Sequence, residues 1–203
     1  MTANQNSVRA FVAIFPPAEL VEKIATAQDE LKVRDDNGAV RWTRPTQIHL
    51  TLKFLGDVSS ASLPEVERAL DGACRTIIPF RLEAAGFGTF PDIRKPRVLW
   101  VGLEGDLESL QKLATQISSA LPMFGRQEEQ KFHPHLTLGR VRDASDVSSR
   151  NVVAAMANRS RERFGEWEVS EVHLMQSDLS RGAAEYRRVF SFTFQTGGDM
   201  RRF

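Results

Sequence analysis

The chain is poor in several things, and each shortage removes a class of function. Only one of its 203 residues is cysteine, Cys74, so neither an internal disulfide nor a cysteine-rich metal cluster can form. A reducing compartment fits that usage, and a cytoplasmic location is expected. No long uncharged apolar run occurs, so no membrane-spanning helix is expected, and Met1 to Arg9 is polar, without the apolar core of a secretory signal. Charge of one sign is missing too, with 27 Lys and Arg against 26 Asp and Glu. Without a global positive field, any nucleic-acid ligand must be gripped locally, at an end. What remains is ordinary: 41% hydrophobic and 26% charged residues, in a chain long enough to bury a core as one domain or as two packed lobes.

Periodicity and punctuation give the order of elements. Arg9 to Phe15 reads as a strand stopped by Pro16-Pro17, and Ala18 to Leu31 as a helix whose apolar stripe contains Leu20, Ile24 and Leu31. A turn at Asp35-Asp36-Asn37-Gly38 leads into an extended region through Arg41-Trp42 and Ile48 to Gly56, followed by a helix from Leu63 to about Cys74. Strands are expected over Phe80 to Phe90 and Arg97 to Leu103. A helix over Asp106 to Leu121, a strand at His135 to Leu138 and a helix over Val147 to Phe164 come next, with late strands over Trp167 to Leu174 and Tyr186 to Phe194. Strand, helix, His-containing strand, helix, strand thus occurs twice, which suggests an internal duplication. Adjacent strand pairs between single helices favour antiparallel or mixed sheets over a continuous parallel βαβ wind. The expected fold is α+β: one bilobal domain spanning 1–203, a pseudo-twofold duplication with two mainly antiparallel sheets flanking a central cleft and helices on the outer faces.

The chemistry is concentrated in a repeated tetrapeptide. Of only four histidines, His49 and His135 each open the sequence His-Leu-Thr-Leu, 86 positions apart. Alternation in a strand puts His49, Thr51 and Lys53 on one face and Leu50 and Leu52 on the other. One His-x-Thr is a weak signal, but two of them related by duplication bring two imidazoles and two hydroxyls to one cleft. An imidazole with a pKa near 6.5 can act neutral in one copy and protonated in the other, as a general base and a general acid. Thr51 and Thr137 can donate hydrogen bonds to non-bridging oxygens of a phosphate as negative charge grows on it. Arg140 offers a planar cation matched to phosphate oxygens, yet simple alternation turns it away from His135 and Thr137, so its participation requires a bulge near Gly139.

The segments Arg41-Trp42 with Pro45, His49 to Gly56 and Phe132-His133-Pro134-His135-Leu136-Thr137-Leu138-Gly139-Arg140 resemble the two-histidine (2H) phosphoesterase superfamily. The resemblance is closest to the bacterial RNA 2′,3′-cyclic phosphodiesterases, formerly called 2′-5′ RNA ligases. It extends from Arg9-Ala10-Phe11-Val12-Ala13-Ile14 to Ser177-Asp178-Leu179, and leaves the tail after Phe194 without a counterpart. It implies RNA ends with a 2′,3′-cyclic phosphate, or cyclic nucleotides, as substrates, opened to 2′-phosphomonoesters without a metal or nucleotide cofactor. It also implies His49 as proton donor, His135 as proton acceptor, and Thr51, Thr137 and Arg140 as phosphate ligands. No membrane and no obligate protein partner is implied, and a monomer suffices.

Two rival functions follow from the same residues. His133 and His135 form His-x-His, which suggests a metal-dependent phosphodiesterase, although no Asp, Glu or Cys lies within either motif to complete a catalytic zinc site. A non-catalytic RNA-end or nucleotide-phosphate-binding module would use the same histidines only to hold phosphate. Trp42, Phe54, Phe132 and Tyr186 are candidate stacking surfaces for a terminal base, with core packing as the plainer role for each. His173 reads as a strand residue of the terminal sheet.

Overall fold

In a computed structural model, residues 7–125, 132–178 and 184–195 are described. Leu179, at the end of the resemblance, and most of the tail after Phe194 lie outside them. The chain runs β1 (Ser7–Ile14), α1 (Ala18–Lys32), β2 (Val40–Trp42), β3 (Leu50–Ser59), α2 (Leu63–Cys74), β4 (Phe80–Phe90), β5 (Val98–Gly105) and α3 (Leu107–Ala120). It continues through β6 (His135–Val141), α4 (Val147–Ala157), β7 (Arg163–Val169), β8 (Glu171–Asp178) and β9 (Glu185–Thr193).

The expected mixed architecture of helices against antiparallel strands is what the chain forms, but the described strands join in one nine-stranded sheet rather than in two, because β3 and β6 pair across the middle. Strand order is β7-β4-β5-β6-β3-β1-β8-β9, with β2 pairing on β6. Two halves are evident, β3-β1-β8-β9 and β6-β5-β4-β7, and they meet through the single residue pair Leu50–Leu136. A ladder one pair long lets the two central strands splay, which opens the cleft. Leu50, Leu52, Leu136 and Leu138 turn to the helix-covered core with Ile24, Leu70, Leu113 and Val152, so the alternate residues of the same strands face the cleft.

The halves are not assembled as the duplicated element order suggests. β4, which follows α2, pairs with β5 and β7 in the second half, while β8 and β9 cross back to complete the first. The strand expected over Trp167 to Leu174 is accordingly two strands, divided at Ser170, whose carbonyl accepts a hydrogen bond from the Phe194 amide at 2.7 Å. The helix expected to reach Phe164 ends at Ala157. The polar run Asn158 to Glu162 offers no apolar stripe to the core, and Phe164, Trp167 and Val169 bury as strand residues instead.

Candidate active site

Each motif histidine is held by its own backbone. His49 Nδ1 lies 2.7 Å from the Gln47 carbonyl, and His135 Nδ1 lies 2.7 Å from the His133 carbonyl. A carbonyl only accepts, so Nδ1 carries the proton in both rings and Nε2 is left for chemistry in the cleft. The Thr51 hydroxyl is 3.0 Å from His49 Nε2. Gln47 is itself anchored, because Gln47 Nε2 and Arg44 Nη2 both donate to the Ala184 carbonyl, the latter at 2.7 Å, tying the loop before β3 to the residue before β9.

The antiparallel Leu50–Leu136 pair acts as the local pivot of a twofold. Around it His49 is level with Thr137, and Thr51 with His135, so each imidazole has a threonine on both its own strand and the opposite one. The two rings are near enough for charge on His135 to lower the pKa of His49.

Aromatic rings wall the cleft on both sides. Phe11, Phe15 and Tyr186 surround His49 with ring centroids at 5.0, 5.5 and 5.4 Å, and Phe90 meets His135 edge-on at 4.9 Å. Burial among these groups is the main reason both imidazoles bind protons less readily than free histidine. Their hydrogen bonds to carbonyls oppose the effect, and Arg140 and His133 add repulsion at His135. Buried His173 is shifted the same way, by burial first and then by Arg188, against the opposing pull of Glu171.

The sign of the resulting pH dependence follows directly. All three histidines take protons more readily in the unfolded chain, so their contribution is full above about pH 6.5 and is lost as pH falls through the lowered folded values. Thermal unfolding measured between pH 7.5 and 5 is expected to show stability falling with acidification. The fall should be shallower in the His49→Ala/His135→Ala chain, and an equally steep fall there would contradict this origin.

Arg140 reaches the cleft by the bulge that the sequence required. β5 pairs Trp100 with Thr137 but Leu99 with Gly139, so Leu138 is the extra residue, and Arg140 then pairs with Val98 on the face of Trp100 and Thr137. On the other side Arg140 pairs with Arg41 of β2. A Cβ on Gly139 would stand 2.7 Å from Val40 Cγ1, so glycine permits β2 to approach here.

Lys53 does not keep the expected company of Thr51. A register slip at Leu52 pairs Lys53 with Val12, a core residue, and so brings Phe54 opposite Phe11; a second slip at Leu55 then sets Gly56, at φ 73°, opposite Ala10. Strict alternation fails there because each slip inserts a residue into β3.

Of the four aromatic candidates, Trp42 donates its indole N–H to Asp35 at 2.9 Å and packs on the core, as does Phe132. Phe54 is exposed, with its ring 6.2 Å from that of Phe11, and Tyr186 stands edge-on to His49. A cavity of about 420 Å³ lined by Phe15, His173 and Arg188 contains none of the motif residues and is not the site.

Sequence reasoning missed Gln28. Fully buried, it donates from Nε2 to the Thr43 and Leu138 carbonyls, both at 2.9 Å, and the Thr43 amide donates to the same Leu138 carbonyl. Gln28 therefore braces the bulge that aims Arg140. Its signal was present: a polar residue four positions after Ile24 and three before Leu31, inside the apolar stripe of α1. Gln28→Leu takes a donor from both carbonyls; that of Leu138 keeps the Thr43 amide, and that of Thr43 loses its buried donor, at about 1–3 kcal/mol for a group left unsatisfied. Lowered stability together with reduced activity is expected, read by denaturant unfolding and turnover; a loss of stability alone would leave Gln28 no part in positioning Arg140.

A mostly antiparallel sheet split by a cleft, with one histidine and one threonine projecting from each central strand, defines a class of phosphoesterase. Residues 16–181 match the family described as the 2′-5′ RNA ligase superfamily, and the chain belongs to it. It is 31% identical over 188 residues to an RNA 2′,3′-cyclic phosphodiesterase of Aquifex aeolicus, covering 91% of this chain and 96% of the relative. It is 33% identical over 185 residues to the protein of that name from Archaeoglobus fulgidus, covering 90% and 99%. Among solved structures it is similar to E. coli LigT complexed with 3′-AMP, with a TM-score of 0.74 and 27% identity over 94% of this chain and 99% of that one. The protein TT0787 of Thermus thermophilus is comparably similar, at a TM-score of 0.75 and 27% identity over 93% and 99%.

Proposed function

We propose that this chain, working as one bilobal unit, hydrolyses RNA 2′,3′-cyclic phosphate ends to 2′-phosphomonoesters by metal-independent general acid–base catalysis. The observation that carries the reading is the paired geometry: two imidazoles, each fixed through Nδ1 to a carbonyl two residues earlier, present Nε2 to one cleft. Curated relatives covered almost end to end, and named for this activity, support it.

In the proposed reaction a water oxygen attacks phosphorus while giving a proton to His135 Nε2. The bond from phosphorus to the 3′ oxygen breaks, and that oxygen takes a proton from His49. Burial disfavours charge on both imidazoles, and the cation of Arg140 adds to this at His135, whose proposed part is that of the neutral base. Thr51, Thr137 and Arg140 donate to the non-bridging oxygens, where charge accumulates. In reverse, a 5′-hydroxyl replaces water and the histidines exchange roles, which would join RNA ends through a 2′-5′ bond. Hydrolysis should dominate in dilute RNA.

Metal independence is part of the proposal. His49 and His135 each have one ring nitrogen left, no group of three or more His, Cys, Asp or Glu that could hold a metal occurs among the described residues, and the positive charge of Arg140 beside His135 opposes a cation. The test is hydrolysis of an oligonucleotide ending in a 2′,3′-cyclic phosphate with excess EDTA, with identification of the phosphate position. EDTA-resistant formation of the 2′-phosphate is expected. EDTA-sensitive turnover would replace the reading with a metallohydrolase, and tight binding without turnover with a phosphate-binding module.

A further inference from the structure

Two arginines face each other across neighbouring strands. Arg41 of β2 and Arg140 of β6 pair in register, between the pairs Val40–Val141 and Trp42–Gly139. Val40, Trp42 and Val141 pack on the core, so both guanidinium groups leave from the opposite face, which is the cleft face. Directly opposed residues have Cβ atoms about 4.5–5.5 Å apart, and like charges in that position destabilise a sheet. Both side chains are exposed, and among the described residues neither has a carboxylate partner or a hydrogen bond.

The fold nonetheless holds the pair together. β3 leaves β6 after Leu136, and β2 takes its place on that side of β6. Glycine at 139 lets the two strands close, as its contact with Val40 requires. Asp35 fixes β2 by accepting from the amides of Ala39 and Val40 and from the Trp42 indole, at 2.7, 3.2 and 2.9 Å, so its carboxylate is occupied by those donors and not by Arg41. On the far side of Arg140 the turn between β4 and β5 carries exposed Arg94, Lys95 and Arg97, and the Arg97 carbonyl accepts from the Val141 amide at 3.0 Å. The acid of that turn, Asp92, is held by the amides of Arg94 and Lys95 at 2.7 and 3.1 Å. Cations at this end of the cleft are thus left without counter-charges.

Two adjacent guanidinium forks match the oxygens of a phosphate. The reacting phosphate already has Arg140 and the groups around the two imidazoles, and Arg41 stands one strand farther from His135, about 4.8 Å on. In an RNA end the next anion is the phosphodiester on the 5′ side of the terminal nucleotide. We propose that Arg41 clamps this internucleotide phosphate, with Arg140 shared between the two phosphates, and so makes the chain select an oligonucleotide end over a cyclic mononucleotide. The inference rests on the reading of the cleft as the site of a cyclic phosphate end. A phosphate contact carries no base information, so the clamp is blind to sequence.

The test compares adenosine 2′,5′-bisphosphate with adenosine 2′-monophosphate, which differ only in the 5′-phosphate, by calorimetry in the wild-type chain, Arg41→Ala and Arg41→Lys. The wild-type chain is expected to bind the bisphosphate tenfold or more tightly than the monophosphate. Arg41→Ala should bring the two within twofold of each other by weakening the bisphosphate alone, and Arg41→Lys, which keeps the charge without the fork, should retain part of the preference. Without ligand, Arg41→Ala should unfold at no lower temperature than the wild type, because one of two opposed like charges is gone. A wild-type chain with no preference, or a preference that survives Arg41→Ala, would leave no clamp. Equal weakening of both ligands would assign Arg41 to the reacting phosphate or to the sheet; each of these results overturns the proposal. A chain that binds the bisphosphate through Arg41 yet opens no cyclic phosphate would sink the catalytic reading and leave the clamp standing.

Discussion

His49→Ala and His135→Ala are each expected to lower kcat by about 10² to 10⁴, the range that a positioned general acid or base contributes. Fold should survive, because neither ring belongs to the main core; both lie on the cleft face, opposite Leu50 and Leu136. The loss should be strongly non-additive. Once one imidazole is gone, proton transfer is already broken on one side of the phosphorus, so the double variant should fall little below the worse single variant. Steady-state turnover of a 2′,3′-cyclic nucleotide, alongside thermal unfolding of each variant, gives both quantities. Wild-type-like rates in either single variant would end the two-histidine mechanism.

Arg140→Ala is expected to cost about 10² to 10³ in kcat, comparable with removing one pre-positioned donor from a site of developing negative charge. A second consequence separates charge stabilisation from mere packing. Arg140 helps hold the His135 pKa down, so its removal should move the base-dependent limb of the kcat/KM profile to higher pH, where His135 again becomes neutral. Arg140→Lys keeps the charge but not the planar fork; it should leave that limb in place and restore only part of the rate. An Arg140→Ala enzyme with an unshifted limb would place the guanidinium too far from His135 to act on it.

Much of the site was legible before any coordinates, because its information is local. In an extended chain side chains alternate, so His49 and Thr51 had to share a face, as did His135 and Thr137, whatever the strands paired with. The repeat of His-Leu-Thr-Leu further implied that two such faces meet. Helix positions were likewise local: the apolar stripes of Ala18–Lys32, Leu63–Cys74 and Leu107–Ala120 agree with expectation to within a few residues. Where the local signal faded, in the polar run after Ala157, the expected helix was too long.

By itself, then, the sequence determined the side chains proposed to react, the faces they share and the mixed architecture of helices on antiparallel sheet. Only the tertiary structure decided what depends on partners distant in the chain. It exchanged β4 against β8 and β9 between the halves, since strand pairing is settled by neighbours that alternation does not name. It placed the extra residue at Leu138, braced by Gln28 from 110 positions away, and so turned Arg140 into the cleft. And it set Arg41 in register with Arg140, two like charges on strands that meet only when the sheet has formed.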